Sequence, residues 1–123
     1  MEPVRPRGVE INPHRDDSGP QPFRCRVETK DGTLTVRITG ELDMATEPEA
    51  REALRAAVEL TKDGLVCDLR EVTFLSSCGL RLLLETHDQL SARGYRLELM
   101  LGEASERILD MTGVKGRFQI GRP

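Results

Sequence analysis

Apolar and polar residues alternate in two runs between residues 23 and 42, as in strands that bury one face. The apolar positions of the two runs are Phe23, Cys25, Val27, Leu34, Val36 and Ile38. Lys30-Asp31-Gly32 separates the runs, and its glycine tolerates the positive φ of a tight turn. The pattern predicts a hairpin whose second strand closes at Gly40-Glu41-Leu42-Asp43.

Three later segments carry apolar residues at helical spacing. The first is expected to begin at Thr46-Glu47-Pro48-Glu49, because Thr46 and Glu49 have the spacing of a capping box and Pro48 suits a first turn. Its apolar stripe consists of Ala50, Ala53, Leu54, Ala57 and Val58. It is expected to end at Asp63-Gly64, since glycine is favoured just after a helix. A second helix is predicted to stop near Arg93-Gly94, and a short third one covers about residues 103–111.

Three further strands complete the pattern. Residues 65–69 form a short, largely apolar run of the kind that a buried strand shows, and residues 95–101 alternate again. Phe118 and Ile120 suggest a last edge strand. The order is β-β-α-β-α-β-α-β, and strands joined by helical crossovers pair in parallel. We therefore predict an α/β fold: a single small domain with a four- to five-stranded mixed β-sheet packed against two longer helices and a short one.

The first 22 residues differ in composition from the rest. They hold five of the seven prolines, mixed charges and few large apolar side chains. Such a segment buries too little apolar surface to offset the entropy of ordering it. Residues 1–22 are predicted to form a flexible tail, and residues 23–123 the folded domain.

Composition and charge restrict the function classes. The chain has 123 residues and a formal net charge of -3 without a block of Lys and Arg, which argues against a nucleic-acid module. No run of about 18 apolar residues could span a membrane, and the first residues lack the apolar core of a secretion signal. The cysteines, Cys25, Cys67 and Cys78, are odd in number and lack CxxC spacing. We expect a soluble, cytoplasmic, reduced protein without nucleic-acid or membrane partners.

Residues 68–80 form the strongest candidate for a functional site. A buried-strand run precedes the turn and helically spaced leucines follow it, so that small residues stand where a strand becomes a helix. These residues are Ser76, Ser77, Cys78 and Gly79. A helix N-terminus leaves backbone N–H groups unpaired and carries the positive end of the helix dipole. The turn therefore suits a phosphate or an acidic partner.

Asp43 follows the second strand and has two interpretations. Aspartate is favoured in turns and at helix caps, so a local structural role is sufficient to explain it. The carboxyl ends of neighbouring parallel strands also meet at one edge of a sheet, where ligands and partners bind. Asp43 is therefore also a candidate contact residue beside the serine turn, and the two roles are compatible.

Other chemistries find little support. The nucleophile elbow of hydrolases requires G-x-S-x-G, and Leu75-Ser76-Ser77-Cys78-Gly79 lacks the first glycine. His14 lies in the predicted tail and His87 in mid-helix, so no Ser/His pair is indicated. Phosphate-binding glycine motifs are absent, and Gly113-Val114-Lys115-Gly116 fits a helix end and a turn better than a KH loop. No catalytic group, metal site or cofactor is predicted.

Four motifs together resemble those of a known family. They are Gly40-Glu41-Leu42-Asp43, Asp68-Leu69, the segment V-T-F-L-S-S-C-G-L at residues 72–80, and Leu109-Asp110-Met111-Thr112-Gly113-Val114. In these motifs the chain resembles the STAS domain family, and in particular bacterial anti-sigma-factor antagonists, over about residues 23–121. The resemblance implies a partner switch without catalytic activity.

The resemblance also implies roles for individual residues. In that family a partner that is both serine kinase and anti-sigma factor phosphorylates the serine after the motif's Asp, and Ser77 occupies that position. The unphosphorylated antagonist binds the anti-sigma factor and frees the sigma factor, phosphorylation breaks the complex, and a PP2C-type phosphatase resets it. The implied partner-binding surface consists of Asp43, Thr46, Ser76, Ser77, Cys78 and Gly79. A monomer or weak dimer is expected.

The chain departs from the family pattern at two positions. Ser76 replaces the usual Asp before the phosphorylated serine, and Cys78 replaces the second serine. Ser76 can still cap the helix but supplies no carboxylate. Three hypotheses remain: a switch phosphorylated at Ser77, a phosphorylation-independent scaffold, which the departure at Ser76 would favour, and a small enzyme or thiol sensor working through Cys78.

Overall fold

The strands and helices follow the predicted order in a computed structural model that describes residues 22–121. Their bounds are β1 Arg24–Lys30, β2 Thr33–Leu42, α1 Glu47–Leu60, β3 Gly64–Leu75, α2 Ser77–Ala92, β4 Arg96–Leu101, α3 Glu103–Thr112 and β5 Gln119–Ile120, with one 3₁₀ turn at Lys115–Arg117. Among residues 22–121, no helix combines the length and apolar character needed to cross a membrane. The predicted tail falls almost entirely on residues outside the described range, so it stays a prediction.

The five strands form one mixed sheet in the order β1-β2-β3-β4-β5. The hairpin of β1 and β2 is antiparallel, and Asp31 and Gly32, with φ of 53° and 80°, form its two-residue turn. The other three strand pairs are parallel, because a helix connects each strand to the next. The predicted α/β fold with a mixed sheet, two longer helices and a short one is confirmed.

One face of the sheet and the two longer helices enclose the core. Its buried side chains include Val36, Ile38, Leu42, Leu69, Leu75, Leu97 and Leu99 from the sheet, Ala50, Leu54, Ala57 and Val58 from α1, and Leu80, Leu82, Leu83 and Leu90 from α2. The stripe predicted for α1 is therefore confirmed, with Ala53 only half-buried. Each fully buried leucine stabilises the fold by about 1.5–3 kcal/mol relative to an exposed one.

Two of the cysteines pack as small apolar side chains. Cys67 is fully buried, Cys25 is half-buried, and neither is in a disulfide. Burial, aided by the Glu49 carboxylate, raises the pKa of the Cys25 thiol to about 11. Burial also raises the pKa of the Cys67 thiol, so both thiols stay protonated at neutral pH.

The third strand is longer than predicted. Expected over residues 65–69, β3 continues to Leu75 because β2 pairs with it as far as the Leu42–Leu75 pair. Two register shifts each insert one extra residue into β3 along this pairing. Such bulges break the alternation by which a strand is recognised in a sequence.

Helix α1 is also bounded differently from the prediction. It ends at Leu60 rather than at Asp63-Gly64, because Thr61 already has an extended backbone with φ of -72° and ψ of 151°. The Thr61 hydroxyl accepts a hydrogen bond from the N–H of Gly64 at 3.0 Å and donates to the carbonyl of the same residue. Gly64 therefore begins β3 instead of ending the helix.

Helix α3 packs beside the part of β3 that β4 does not reach. The pairing of β3 with β4 ends at Leu69 and Leu101, and Gly102 follows directly at the start of α3. A Cβ on Gly102 would lie only 2.9 Å from both the Cα and the carbonyl carbon of Arg70. The Gly102 N–H donates to the buried Ser105 hydroxyl at 2.9 Å, which fixes the first turn of α3.

The sheet face opposite the core carries a charge network around Asp68. This residue is only 5% exposed, and the Nε and Nη2 atoms of Arg70 donate to its two oxygens at 3.0 and 2.9 Å. Arg37 Nε lies 3.7 Å from the same carboxylate and Arg37 Nη2 lies 3.6 Å from Glu28. Burial by itself raises the pKa of the Asp68 carboxyl, but the hydrogen bonds from Arg70 and the charges of Arg70 and Arg37 outweigh it. The pKa of Asp68 therefore lies below its usual range.

We predict that Asp68→Asn destabilises the protein in a pH-dependent way. Because the folded-state pKa of Asp68 is lowered, its contribution is fully present above the unfolded-state pKa of about 3.9 and is lost as the pH falls through the folded value. The free energy of unfolding should drop by about 1–3 kcal/mol at pH 7, and the difference from wild type should shrink only as the pH falls below about 4 toward the lowered folded-state pKa. Urea denaturation across this pH range measures the difference. The exposed Asp63→Asn is the control, and a loss at Asp68 that persists unchanged at pH 3 would contradict the ionic explanation.

We predict that Gly102→Ala loosens α3 from the sheet. The added methyl group meets backbone of Arg70 that cannot rotate away, so the free energy of unfolding should fall by about 1–3 kcal/mol. Gly116→Ala is the matched control, because a Cβ there has no neighbour within 4 Å, and its effect should stay within about 0.5 kcal/mol. Chemical denaturation of both variants tests this packing, and equal stabilities would contradict it.

Candidate partner-binding site

The candidate site lies where the carboxyl ends of β2 and β3 meet. Leu42 and Leu75 form the last pair of the two strands, and the N–H of Ser76 donates to the carbonyl of Leu42 at 3.0 Å. This hydrogen bond joins the serine turn to the end of the neighbouring strand. The segment after β2, residues 43–46, therefore lies beside the first turn of α2.

Ser76 caps α2. Its backbone is extended, with φ of -86° and ψ of 173°, and its hydroxyl accepts a hydrogen bond from the N–H of Gly79 at 3.3 Å. Its carbonyl accepts from the N–H of Leu80 at 2.9 Å, which is the first bond of the helix. Ser76 therefore fills the capping role that an aspartate could also fill, but without a charge.

Ser77 is the first residue of α2 and is exposed to solvent. Within residues 22–121 its hydroxyl makes no hydrogen bond to another protein group. The N–H groups of Ser77 and Cys78 belong to the first helical turn and so have no intrahelical acceptor. The structure therefore presents a free hydroxyl beside two unsatisfied donors and the positive end of the helix dipole.

Gly79 and Cys78 lie below this surface. Gly79 is buried, and a Cβ in its place would lie 2.8 Å from Leu42 Cγ and 2.8 Å from Leu75 Cδ1. Glycine therefore lets the helix approach the strand ends, so it supports the predicted contact surface from beneath. Cys78 is half-buried, with its Sγ 3.1 Å from the Ser76 hydroxyl.

The turn after β2 is fastened by Asp43 and Thr46. Asp43 Oδ1 accepts hydrogen bonds from the N–H groups of Ala45 at 3.0 Å and Thr46 at 3.2 Å, which is the local role that the sequence allowed for it. The Thr46 hydroxyl donates to the carbonyl of Glu41 at 2.7 Å and accepts from the N–H of Asp43 at 3.0 Å. The predicted capping box of α1 is therefore wrong, because the Thr46 hydroxyl is engaged with the preceding strand.

Two apolar side chains at this end of the sheet were missed by the sequence reasoning. Met44, in the turn after β2, is 81% exposed, and Phe74, near the end of β3, is 49% exposed. Phe74 precedes the buried Leu75, so strand alternation places it on the opposite face, and this signal was available in the sequence. The exposure of Met44 has no such signal, because it follows from the turn that Asp43 stabilises.

The remaining polar candidates do not converge on the serine turn. His87 lies ten residues along α2 from Ser77, about 15 Å along the helix axis, and its half-buried ring packs edge-on against Phe118 with centroids 5.7 Å apart. It is therefore beyond hydrogen-bond reach of the Ser77 hydroxyl. Within residues 22–121, no group of three or more His, Cys, Asp or Glu side chains could hold a metal ion.

Comparisons with known proteins agree with this architecture. The family model described as STAS domain matches residues 24–122. The chain is 32% identical over 95 residues to the anti-sigma-B factor antagonist of Bacillus subtilis (strain 168), an alignment that covers 76% of this chain and 86% of that protein. It is also 32% identical to the crystal structure of an anti-sigma factor antagonist from Mycobacterium paratuberculosis, with a TM-score of 0.75 over 83% of this chain and 87% of the other.

A more distant structure shows how well the fold is kept. The anti-sigma factor antagonist SpoIIAA in its unphosphorylated form is 19% identical, with a TM-score of 0.64 over 82% of this chain and 89% of that chain. At this identity the likeness concerns the fold alone. The family model, by contrast, spans nearly all of the described residues, and the protein therefore belongs to the STAS domain family.

Proposed function

We propose that this protein is an anti-sigma-factor antagonist whose binding to an anti-sigma factor is switched by phosphorylation of Ser77. The unphosphorylated chain binds the anti-sigma factor and releases the sigma factor. The anti-sigma factor, acting as a serine kinase, phosphorylates Ser77 and ends the interaction, and a PP2C-type phosphatase restores the binding form. The chain acts in the cytoplasm as ligand and substrate and supplies no catalytic group.

One observation carries the proposal. In a member of the STAS domain family, the exposed Ser77 hydroxyl stands at the first position of α2, free of hydrogen bonds within the described residues and accessible to a kinase. The relatives described above that resemble the chain at 32% identity are named anti-sigma factor antagonists, which supports the same class of partner for this chain.

The electrostatics of the turn support a switch that needs no refolding. A phosphate on Ser77 adds about -1.5 to -2 charges and three acceptor oxygens. The N–H groups of the first turn of α2 can donate to these oxygens. Arg81 is exposed and stands one helical turn further along the same face, where its guanidinium can approach the phosphate. A partner packed on this turn must then desolvate a strongly hydrated anion, and each ~1.4 kcal/mol of that cost weakens binding tenfold.

Ser76 bears on how the kinase uses the site. The aspartate usual in the family would place a carboxylate next to the reacting hydroxyl, and Ser76 retains the cap but adds no charge. This departure is the specific observation that favours the second candidate function, a scaffold that binds its partner without phosphorylation. Both candidates use the same surface, and they differ in whether Ser77 accepts a phosphate.

We predict that Ser77 is the site of phosphorylation and that charge at this position ends binding. After incubation with ATP and the ATP-binding anti-sigma factors of the source organism, mass spectrometry should place one phosphate on Ser77 and none on Ser77→Ala. Ser77→Glu should raise the Kd for the anti-sigma factor at least tenfold, or about 1.4 kcal/mol, because its carboxylate must be desolvated in the complex.

Ser91→Glu is the matched control, since Ser91 is also exposed on α2 but lies near its other end. It should leave the Kd unchanged. Binding that survives in Ser77→Glu, together with no phosphate on the wild-type chain, would support the scaffold instead. Loss of regulation in Cys78→Ser with Ser77 intact would support a thiol sensor.

A further inference from the structure

We infer that Met44 and Phe74 are the apolar anchors by which this protein binds the anti-sigma factor at the Ser77 surface. The inference rests on the proposed function and adds to it the residues that supply affinity and the chemistry of the partner's face. The partner is expected to offer an apolar pocket for the two side chains, with basic groups around it.

The positions of the two side chains are the first argument. Met44 follows the end of β2 by two residues, Phe74 precedes Ser77 by three, and the two strand ends pair at Leu42 and Leu75. Three residues of extended chain span at most about 11 Å, and adjacent strands lie about 4.8 Å apart. The backbone of Phe74 therefore lies within about 11 Å of Ser77. The hydrogen bond from the N–H of Ser76 to the carbonyl of Leu42 brings the turn that carries Met44 beside the same residue, so both positions fit within one protein interface.

The backbone holds both side chains out of the core. The carboxylate of Asp43 and the hydroxyl of Thr46 fix the turn that carries Met44. Phe74 is held in register opposite Glu41, while its neighbour Leu75 is buried, so its ring cannot turn inward without breaking the strand pair. Exposed apolar side chains that are held in place in this way are typical of interaction sites, where aromatic residues dominate the affinity.

The charges around Met44 indicate the chemistry of the partner. Residues 41–49 contain four acids, Glu41, Asp43, Glu47 and Glu49, and no basic residue. Only Glu47 is neutralised within the described residues, by Arg51 at 2.6 Å. A partner face with an apolar pocket and basic rim complements this surface, whereas a second copy of the chain would bring like charges together.

The same surface explains why a phosphate would be decisive. When the partner covers Met44 and Phe74, it excludes water from the surface around Ser77. The effective dielectric constant at Ser77 then falls. A dianion at that place then loses its hydration, and the apolar pocket of the partner offers no charge to replace it. The apolar anchors therefore make the interface sensitive to charge at Ser77.

The test compares Met44 and Phe74 with an exposed apolar residue at the far end of α1. Each purified ATP-binding anti-sigma factor of the source organism is titrated by calorimetry with the full-length unphosphorylated chain, and the one that binds serves as the partner. Met44→Ala and Phe74→Ala should each raise its Kd by about tenfold or more. Leu60→Ala is the control. Leu60 is 64% exposed but lies at the far end of α1, about 20 Å along the helix axis from its first residue. The Kd of the Leu60→Ala variant for the partner should change less than about twofold.

Conservative variants separate lost contact from lost folding. Met44→Leu and Phe74→Tyr keep the apolar bulk and should bind within about threefold of wild type, and all variants should retain the wild-type circular dichroism spectrum. If Met44→Ala and Phe74→Ala bind the partner as tightly as Leu60→Ala does, the inference that Met44 and Phe74 anchor the complex is overturned, while the proposed function stands. If no anti-sigma factor binds the wild-type chain, the proposed function itself fails, and the inference fails with it.

Discussion

The seating of helix α2 on the ends of β2 and β3 is the constraint on which the rest of the site depends. It is made by a backbone hydrogen bond from Ser76 to Leu42 and by the absence of a side chain at Gly79, where a Cβ would meet two core leucines. The core holds Leu75 before the turn and Leu80 after it. Between these buried positions the chain comes to the surface, and the side chain of Ser77 is exposed to solvent.

A site fixed in this way is suited to a local switch. Many phosphorylation switches order or disorder a segment, and their signal is a change of conformation. Here the residues on both sides of Ser77 are held by the core and by the cap of Ser76, so the modification can change charge without moving the backbone. The turn of Asp43 and Thr46 fixes the neighbouring part of the surface through hydrogen bonds of its own. In the proposed switch, the fold therefore sets the position of the Ser77 side chain, and a phosphate would change only its charge.

Much of this arrangement could be predicted from the sequence, because its signals are local. Alternation between residues 23 and 42 predicts the hairpin, and the stripe from Ala50 to Val58 predicts the buried face of α1. The serine turn could be placed at a helix start because a polar cluster separates a strand-like run from helically spaced leucines. The positions of Ser76 and Ser77 in the structure follow from that pattern.

The remaining features depend on tertiary contacts that leave no periodic signal. The extension of β3 to Leu75 is hidden by two bulges, whose extra residues are accommodated only through pairing with β2. The Thr46 hydroxyl could hydrogen-bond either to its own helix or to the preceding strand. Only the folded turn shows that it bonds to the strand, at the carbonyl of Glu41. The exposure of Met44 likewise depends on that turn. Local chemistry therefore identified the candidate serine turn, while the exposure of Met44 beside it required the three-dimensional structure.

The central claim is that phosphorylation changes charge at a rigid turn and leaves the fold as it is. The most direct test is the ¹⁵N–¹H spectrum of the chain with phosphoserine incorporated at position 77, compared with that of the unmodified chain. We predict that amide shifts change at residues 76–81 and in the adjacent turn at residues 43–46, with the amides of the sheet unchanged. Shift changes or broadening spread through β2, β3 and β4 would contradict it, because they would show that the phosphate acts by rearranging the domain.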